Sequence, residues 1–329
     1  MITSNLFQRI LMEPVQNGCN KLYIVSGYAT SAMAFHHLNE LNNLGRNNVT
    51  LKLIIGMTSS DGISFSNHRG FRQIMSTDFV GRFECSYKIH TPPVHTKLYL
   101  WFNNDTPRFG FLGSANYTQT AFNAARQKEA LTECPLNEAL NYFNELIDDT
   151  IFCTHLDSEN LIQIYNDRFY RRRERELTEN TAPEVSHEIL QPDVSTLENV
   201  TISLLDRNGN LPQRSGLNWG QRPEEHREPN QAYIRLPSTV YNTDFFPPIG
   251  VHFTVLTDDN KILICSRAQQ NAKAIHTPHN NSLIGEYFRN RLNVPNGNRV
   301  DTQDLLNYGR TDITFYKIDD ETYYMDFSI

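Results

Sequence analysis

The apolar positions of this chain keep one rhythm through the first half and another through the second. In the first half, short apolar runs alternate with stretches of helical spacing. Lys21-Leu-Tyr-Ile-Val-Ser26 reads as a strand closed by Gly27-Tyr-Ala. Ala32, Phe35, Leu38 and Leu41 or Leu44 then line one face of a helix from about Thr30 to Leu44. Val49 to Ile55 is a second strand ended by Gly56. Asp61-Gly62 and the stretch from Asn67 to Gly70 mark a loop, with a short helix near Phe71 to Met75. Arg82 to Ile89, Leu98 to Phe102 and Arg108 to Leu112 read as further strands. Pro135 to Ile147 and Asp157 to Tyr170 read as helices, the second capped by Asp157 or Ser158 with Leu161, Ile164, Tyr165 and Phe169 on one face. This alternation predicts an α/β layer fold around a mixed or largely parallel sheet.

The rhythm changes after Arg171-Arg-Arg-Glu-Arg-Glu176, which runs into a polar stretch containing Pro183. A linker is expected at residues 172–190, dividing a first domain, 1–171, from a second, 191–329. Beyond it lie short β segments at Val200 to Leu205, Ala232 to Leu236, Val251 to Leu256 and Lys261 to Cys265. The last two are joined by Thr257-Asp-Asp-Asn260, a hairpin connection. One helix is expected over Asn281 to Arg291 with Ser282 as its cap, and Thr311 to Ile318 with Thr322 to Phe327 form a closing hairpin. Many short strands with one helix predict a small β-barrel.

Composition agrees with this division. A chain of 329 residues suits two domains, and 39% hydrophobic with 11% aromatic content supports packed cores rather than disorder. No apolar run reaches bilayer length, and Met1 to Gln8 lacks the charged and apolar regions of a leader, so a soluble cytoplasmic protein with no membrane partner is expected. The five cysteines, 19, 85, 134, 153 and 265, are scattered and never spaced as CxxC, which argues for reduced thiols and against a zinc site or disulfide frame. A net charge of −7 looks unsuited to a polyanion, yet the charge is segregated. Residues 261–310 carry seven Lys/Arg against three Asp/Glu, residues 207–235 five against three, and residues 311–329 one against five. A polyanion responds to the local patch rather than to the total.

The candidate chemistry sits at His95-Thr-Lys97, followed 16 residues beyond Lys97 by Gly113-Ser-Ala-Asn116. Two residues apart on an extended chain, His95 and Lys97 project from the same side. A nucleophilic imidazole beside a fixed cation suits attack on an anionic phosphorus centre. At the end of the next strand, Gly113-Ser114 lets backbone approach a phosphate and Asn116 adds an amide donor.

This pairing resembles the HxK…GSxN signature of the phospholipase D superfamily, which implies an α/β sandwich nuclease or phosphodiesterase domain. Superfamily sites use two HxK copies. None of the other ten histidines has a lysine two residues later, so the resemblance implies a homodimer with one composite site. It implies catalytic roles for His95, Lys97, Ser114, Asn116 and Glu129, with Glu133 as the alternate carboxylate. It also implies chemistry with neither metal nor cofactor. The chain departs from the longer HxKx₄D pattern, because position 102 is Phe and the nearest acid is Asp105.

In the second half, Ser215-Gly-Leu-Asn-Trp-Gly-Gln-Arg222 and the run from Arg267 to Ser282 concentrate amide, guanidinium and hydroxyl groups. Such groups pair with base edges and phosphates. The stretch from GLNWGQR through FFPPIG, SRAQQNAKAIHT, NNSLIGEYFRNRL and NYGRTDITFYKID resembles the B3-like DNA-recognition domain of restriction endonucleases of the NgoFVII/BfiI type. The resemblance implies a C-terminal B3-like β-barrel with two recognition arms. One arm would hold Ser215, Asn218, Trp219, Gly220, Gln221 and Arg222. The other would hold Arg267, Gln269, Gln270, Asn271, Lys273, Thr277, Asn280, Asn281 and Ser282.

The expected function is therefore site-specific cleavage of double-stranded DNA. ATP would enter only through a separate helicase-like ATPase subunit, which some resembling systems have. Two other readings stay open at this point: a phospholipase D-type enzyme acting on lipid, and a non-catalytic DNA-binding regulator.

Overall fold

The computed structural model describes residues 1–165 and 194–329. The expected linker at 172–190, and the end of the expected helix to Tyr170, lie outside the described residues. The chain divides into two compact units, Met1–Leu190 and Gln191–Ile329.

The first unit is built on a mixed seven-stranded sheet. Its strands are β1 (Lys21–Ser26), β2 (Thr50–Ile55), β4 (Phe83–Lys88), β5 (Leu98–Asn103), β6 (Thr106–Gly113), β7 (Leu131–Glu133) and β8 (Thr150–Phe152). A separate pair, β3 (Ile63–Ser64) and β9 (Ile164–Tyr165), lies outside it. The spatial order is β7-β6-β5-β1-β2-β4-β8. β1, β2 and β4 run parallel, whereas β5 is antiparallel to β1, with Leu22 opposite Trp101. β6 and β7 continue the antiparallel edge. The ends of β1 and β2, the start of β5 and the end of β6 thus share one sheet edge.

Side-chain alternation along β5 shows why both faces are covered. Leu98, Leu100 and Phe102 pack with Phe143 and Ala139 of the helix Leu136–Ile147. Trp101, facing the other way, meets His37 of the helix Ser31–Asn43 edge-on. That second helix starts where the Thr30 hydroxyl accepts the Met33 N–H at 3.2 Å, and it buries Ala32, Phe35, Leu38 and Leu41 as its spacing predicts.

The helix expected over Asp157 to Tyr170 is corrected. A single turn, Ser158–Leu161, ends at Ile162, which is extended and buried. β9 then pairs in parallel with β3, and Ile63 N–H donates to Gln163 O at 2.9 Å. A β-branched and an aromatic residue, Ile164 and Tyr165, gain beside the edge of β3 a ladder that a helix would not give them. The sequence pattern also left unassigned the helical turns Phe7–Met12 and Glu13–Gln16 and the edge strands β7 and β8.

The second unit curls a seven-stranded sheet into a nearly closed barrel, consistent with the expected class. It comprises β10 (Asn199–Ser203), β11 (Ile234–Arg235), β12 (His252–Thr257), β13 (Ile262–Ala268), β14 (Ala274–His276), β15 (Asp312–Lys317) and β16 (Thr322–Asp326). The order is β10-β15-β16-β12-β13-β14-β11, with β12 and β16 parallel and the other pairs antiparallel. Phe246 packs against Phe253, Phe315 and Tyr323 inside it. The expectation of one helix is also corrected. Besides Leu283–Leu292, a helix spans Thr302–Tyr308, opened by a reciprocal Asp301–Asp304 capping box and closed by Gly309 at φ +94°.

Asn218 ties this unit together from within. It is fully buried, its amide donates to Val300 O at 2.8 Å and Pro212 O at 3.1 Å, and its oxygen accepts the Val300 N–H at 2.9 Å. Asn218→Ala strands those backbone groups, each costing about 1–3 kcal/mol when buried without a partner. A clear loss of stability in denaturant unfolding of the full chain is expected. A variant as stable as the parent would show that the asparagine has no such structural role.

Candidate active site and nucleic-acid interface

Antiparallel pairing of β5 with β1 delivers His95 and Lys97 to the sheet edge where β1 and β2 end. His95 is exposed and Lys97 is 5% exposed. Between them Thr96 points the other way and bonds the Tyr142 hydroxyl at 2.8 Å. The Lys97 ammonium lies 2.9 Å from His95 Nδ1 and 3.2 Å from Nε2, and donates to His95 O at 2.6 Å. One cation thus fixes both the main chain and the ring of the histidine. Burial pushes the Lys97 ammonium below its ordinary value, and the Glu129 carboxylate partly opposes that shift.

The end of β6 brings the second motif to the same edge. Gly113 is required by packing: a Cβ there would lie 2.1 Å from Ala130 O. The close approach of the Ala130 strand also delivers Glu129, which is 8% exposed and accepts from the Ser114 hydroxyl. Glu133, exposed on β7, makes no such contact. Asp105 lies beyond the far end of β5 and pairs with Lys21 at 2.7 Å.

Three residues that sequence reasoning passed over complete the site: Ser26, Gly27 and Tyr28 at the end of β1. The Ser26 hydroxyl accepts Tyr117 N–H at 2.9 Å and donates to Tyr28 O at 2.5 Å. Tyr28 N–H donates to Asn116 Oδ1 at 3.1 Å. This contact orients the amide and leaves Nδ2 as the end that can donate to a phosphate oxygen. The Tyr28 ring stands edge-on to the His95 ring at 6.0 Å, and its hydroxyl donates to Asp61. A Cβ on Gly27 would lie 3.1 Å from His95 Cδ2 and 3.4 Å from Asn116 Oδ1. The one available signal was a glycine directly after an apolar strand, but the pattern does not reveal that β1 neighbours β5.

Behind this layer Tyr117 is held through its hydroxyl by His37 Nδ1 at 2.9 Å. Burial lowers His37 to about 3, so this imidazole is a neutral packing partner. Among the described residues no group of three His, Cys, Asp or Glu side chains converges in a way that could hold a metal ion.

In the second unit the expected DNA contacts separate into two kinds. Asn218, Gly220, Arg267, Thr277 and Ser282 are buried. Arg267 donates to Ala272 O at 2.9 Å and Tyr241 O at 2.7 Å, Thr277 to Asn280 O at 2.6 Å, and Ser282 to Glu228. Gly220 faces Glu228 O, which a Cβ would approach to 2.2 Å. Asn281 pairs with His276 at 2.9 Å. Gln221 and Arg222 are half-buried and engaged. The Gln221 amide donates to Pro229 O and Gly297 O, and Arg222 holds Arg214 O and the Glu225 carboxylate. Ser215 and Trp219 are half-buried, with Arg227 stacked over the Trp219 ring at 4.0 Å. Gln269, Gln270, Asn271, Lys273 and Asn280 are exposed. Their turn includes left-handed backbone at Gln269 and Asn271 (φ +65° and +61°).

No curated protein matches the chain. A crystal structure of polyphosphate kinase from Porphyromonas gingivalis is similar over 53% of this chain at 10% identity, with a TM-score of 0.31. The chain matches 26% of the length of that structure. The model of the NgoFVII restriction endonuclease N-terminal PLD domain matches residues 4–160, and that of the NgoFVII C-terminal B3-like DNA-binding domain matches residues 193–319. The two matches fall in that order on the α/β unit that holds His95 and on the barrel, and together they show that the chain belongs to the NgoFVII restriction endonuclease family.

Proposed function

We propose that this protein cleaves double-stranded DNA at a specific sequence, through a histidine nucleophile in a site shared between two copies of the chain. The observation that carries this reading is the buried Lys97 ammonium within hydrogen-bonding distance of both His95 ring nitrogens, beside an Asn116 amide oriented by Tyr28. The first unit supplies this half-site once, and the complete reaction needs two imidazoles.

In the proposed reaction His95 of one protomer attacks phosphorus. The scissile P–O bond breaks, its electron pair goes to the leaving oxygen, and the partner's His95, protonated, gives that oxygen its proton. The partner's His95, now neutral, takes a proton from water as the water oxygen attacks phosphorus and the P–N bond breaks. Lys97 and Asn116 from both copies hold the non-bridging oxygens, where charge builds. Glu129 accepts from the Ser114 hydroxyl, and Ser114 N–H bonds Ala130 O, so Ser114 helps orient those oxygens by holding the turn that carries Asn116. The imidazole takes the place that metal-bound water holds in other nucleases. ATP has no part in these steps and would act only through a separate helicase-like ATPase subunit. The B3-like family match favours DNA over a lipid substrate, and the intact His95–Lys97 pair favours an enzyme over a silent regulator.

Cleavage of a plasmid by the isolated chain is expected to persist in excess EDTA. Scission that disappears in EDTA and returns with Mg²⁺ without nucleotide would overturn the histidine mechanism. His95→Ala should abolish cleavage while gel-shift affinity for DNA stays nearly intact, and equal loss of binding would refute the division of roles.

Lys97 must be protonated to hold phosphate. Because burial lowers it, the single-turnover rate on a p-nitrophenyl phosphodiester, whose leaving group needs no proton from the partner's His95, should decline on the alkaline side at a lower pH than an ordinary lysine would set. Glu129→Gln removes the opposing carboxylate and should move that decline to still lower pH. Single-turnover rates across pH check this, and an unmoved alkaline limb would break the link between the two residues.

A further inference from the structure

Interior polar groups of the barrel unit converge on one short surface loop, residues 295–299. Arg289 is fully buried, and its guanidinium hydrogen-bonds main-chain oxygens, Asn298 O at 2.7 Å, Gly285 O at 3.2 Å and Pro229 O at 3.3 Å, with the Glu228 and Glu286 carboxylates near enough to act on its charge. Asn230, 7% exposed, accepts the Gly297 N–H at 2.6 Å. Gln221 donates to Gly297 O at 3.1 Å, and Asn218 brackets Val300 at the loop's end. Gly297 itself takes φ +87°. Buried polar groups are costly unless fully bonded, and here their bonds fix backbone whose side chains Asn296, Asn298 and Arg299 are exposed. Fixing an exposed loop in advance lowers the ordering cost of binding a partner. The loop adjoins the first expected arm, since Arg299 donates to Gln213 at 2.8 Å beside Arg214.

We propose that the loop Pro295–Arg299 is a third DNA-contacting segment of the barrel unit, presenting Asn298 and Arg299 to duplex DNA and positioned by Arg289, Asn230 and Gln221. Guanidinium and amide groups on rigid backbone suit base edges or phosphates, and an apolar or cationic partner would find no complement there. This assignment gives the half-buried Gln221 a role: it braces the contacting loop rather than reading a base. It rests on the reading that this unit binds a DNA sequence.

The test uses the full chain carrying His95→Ala, so that DNA is bound and not cut. Selection from a randomised duplex library defines the preferred sequence, and binding to the selected duplex is measured across a salt series. Adding Asn298→Ala with Arg299→Ala should weaken binding about 5- to 100-fold. It should also either relax one base position or reduce the salt slope by about one. Both side chains are exposed, so the melting temperature should stay unchanged. If the parent enriches no sequence, the DNA-reading function of the unit is lost, and this inference with it. If the parent enriches a sequence that the variant binds with the same affinity, preference and salt slope, the loop is plain surface and only this inference is overturned.

Discussion

The antiparallel pairing of β5 with β1 is the constraint on which the catalytic unit depends. A fully parallel sheet would carry the start of β5 to the edge opposite the ends of β1 and β2. With β5 reversed, His95 and Lys97 arrive where Ser26, Gly27 and Tyr28 leave β1. The next reversal, β5 to β6, returns the chain to the same edge with Gly113 to Asn116. Two motifs separated by a hairpin therefore meet through ladder geometry, with no long loop to order. The interior of the hairpin is almost wholly apolar, with Trp101 and Tyr99 buried on one face and Leu98, Leu100 and Phe102 on the other. Burial on both faces fixes the register, since a slip of one residue would exchange the faces.

The electrostatics of the site follow from this placement. Lys97 enters the sheet as β5 begins and loses most of its water, while Glu129, brought close by the packing of Ala130 on Gly113, returns part of the stabilisation. In the proposed reaction a cation in such a place would act on charge at phosphorus more strongly than one in open solvent. The same contacts hold it still: its ammonium is bonded to the ring and carbonyl of the histidine it serves. Position and charge are supplied by one side chain.

The barrel unit solves a different problem, holding polar loops rigid on a small core. Its inward-facing amides and guanidiniums, Asn218, Arg267 and Arg289, bond main-chain oxygens of loops rather than carboxylates. The side chains proposed for recognition and those that support the loops thus share one vocabulary of Asn, Gln and Arg. Composition cannot separate them, because the distinction lies in which way each side chain faces.

The sequence by itself determined the two-part organisation, most of the strands, both well-spaced helices of the first unit and the residues of the two motifs. Apolar period and turn chemistry are local quantities, and the motif residues are named by their chemical types. Tertiary structure decided the rest. It ended the Ser158 helix after one turn, because β9 could pair with β3. It put Tyr28 edge-on beside His95, and it chose Glu129 over Glu133 as the partner of Ser114. It turned Asn218, Arg267, Thr277 and Ser282 inward. Each of these outcomes depends on contacts between segments far apart in the chain, and a local pattern carries no information about which distant segment will lie against it.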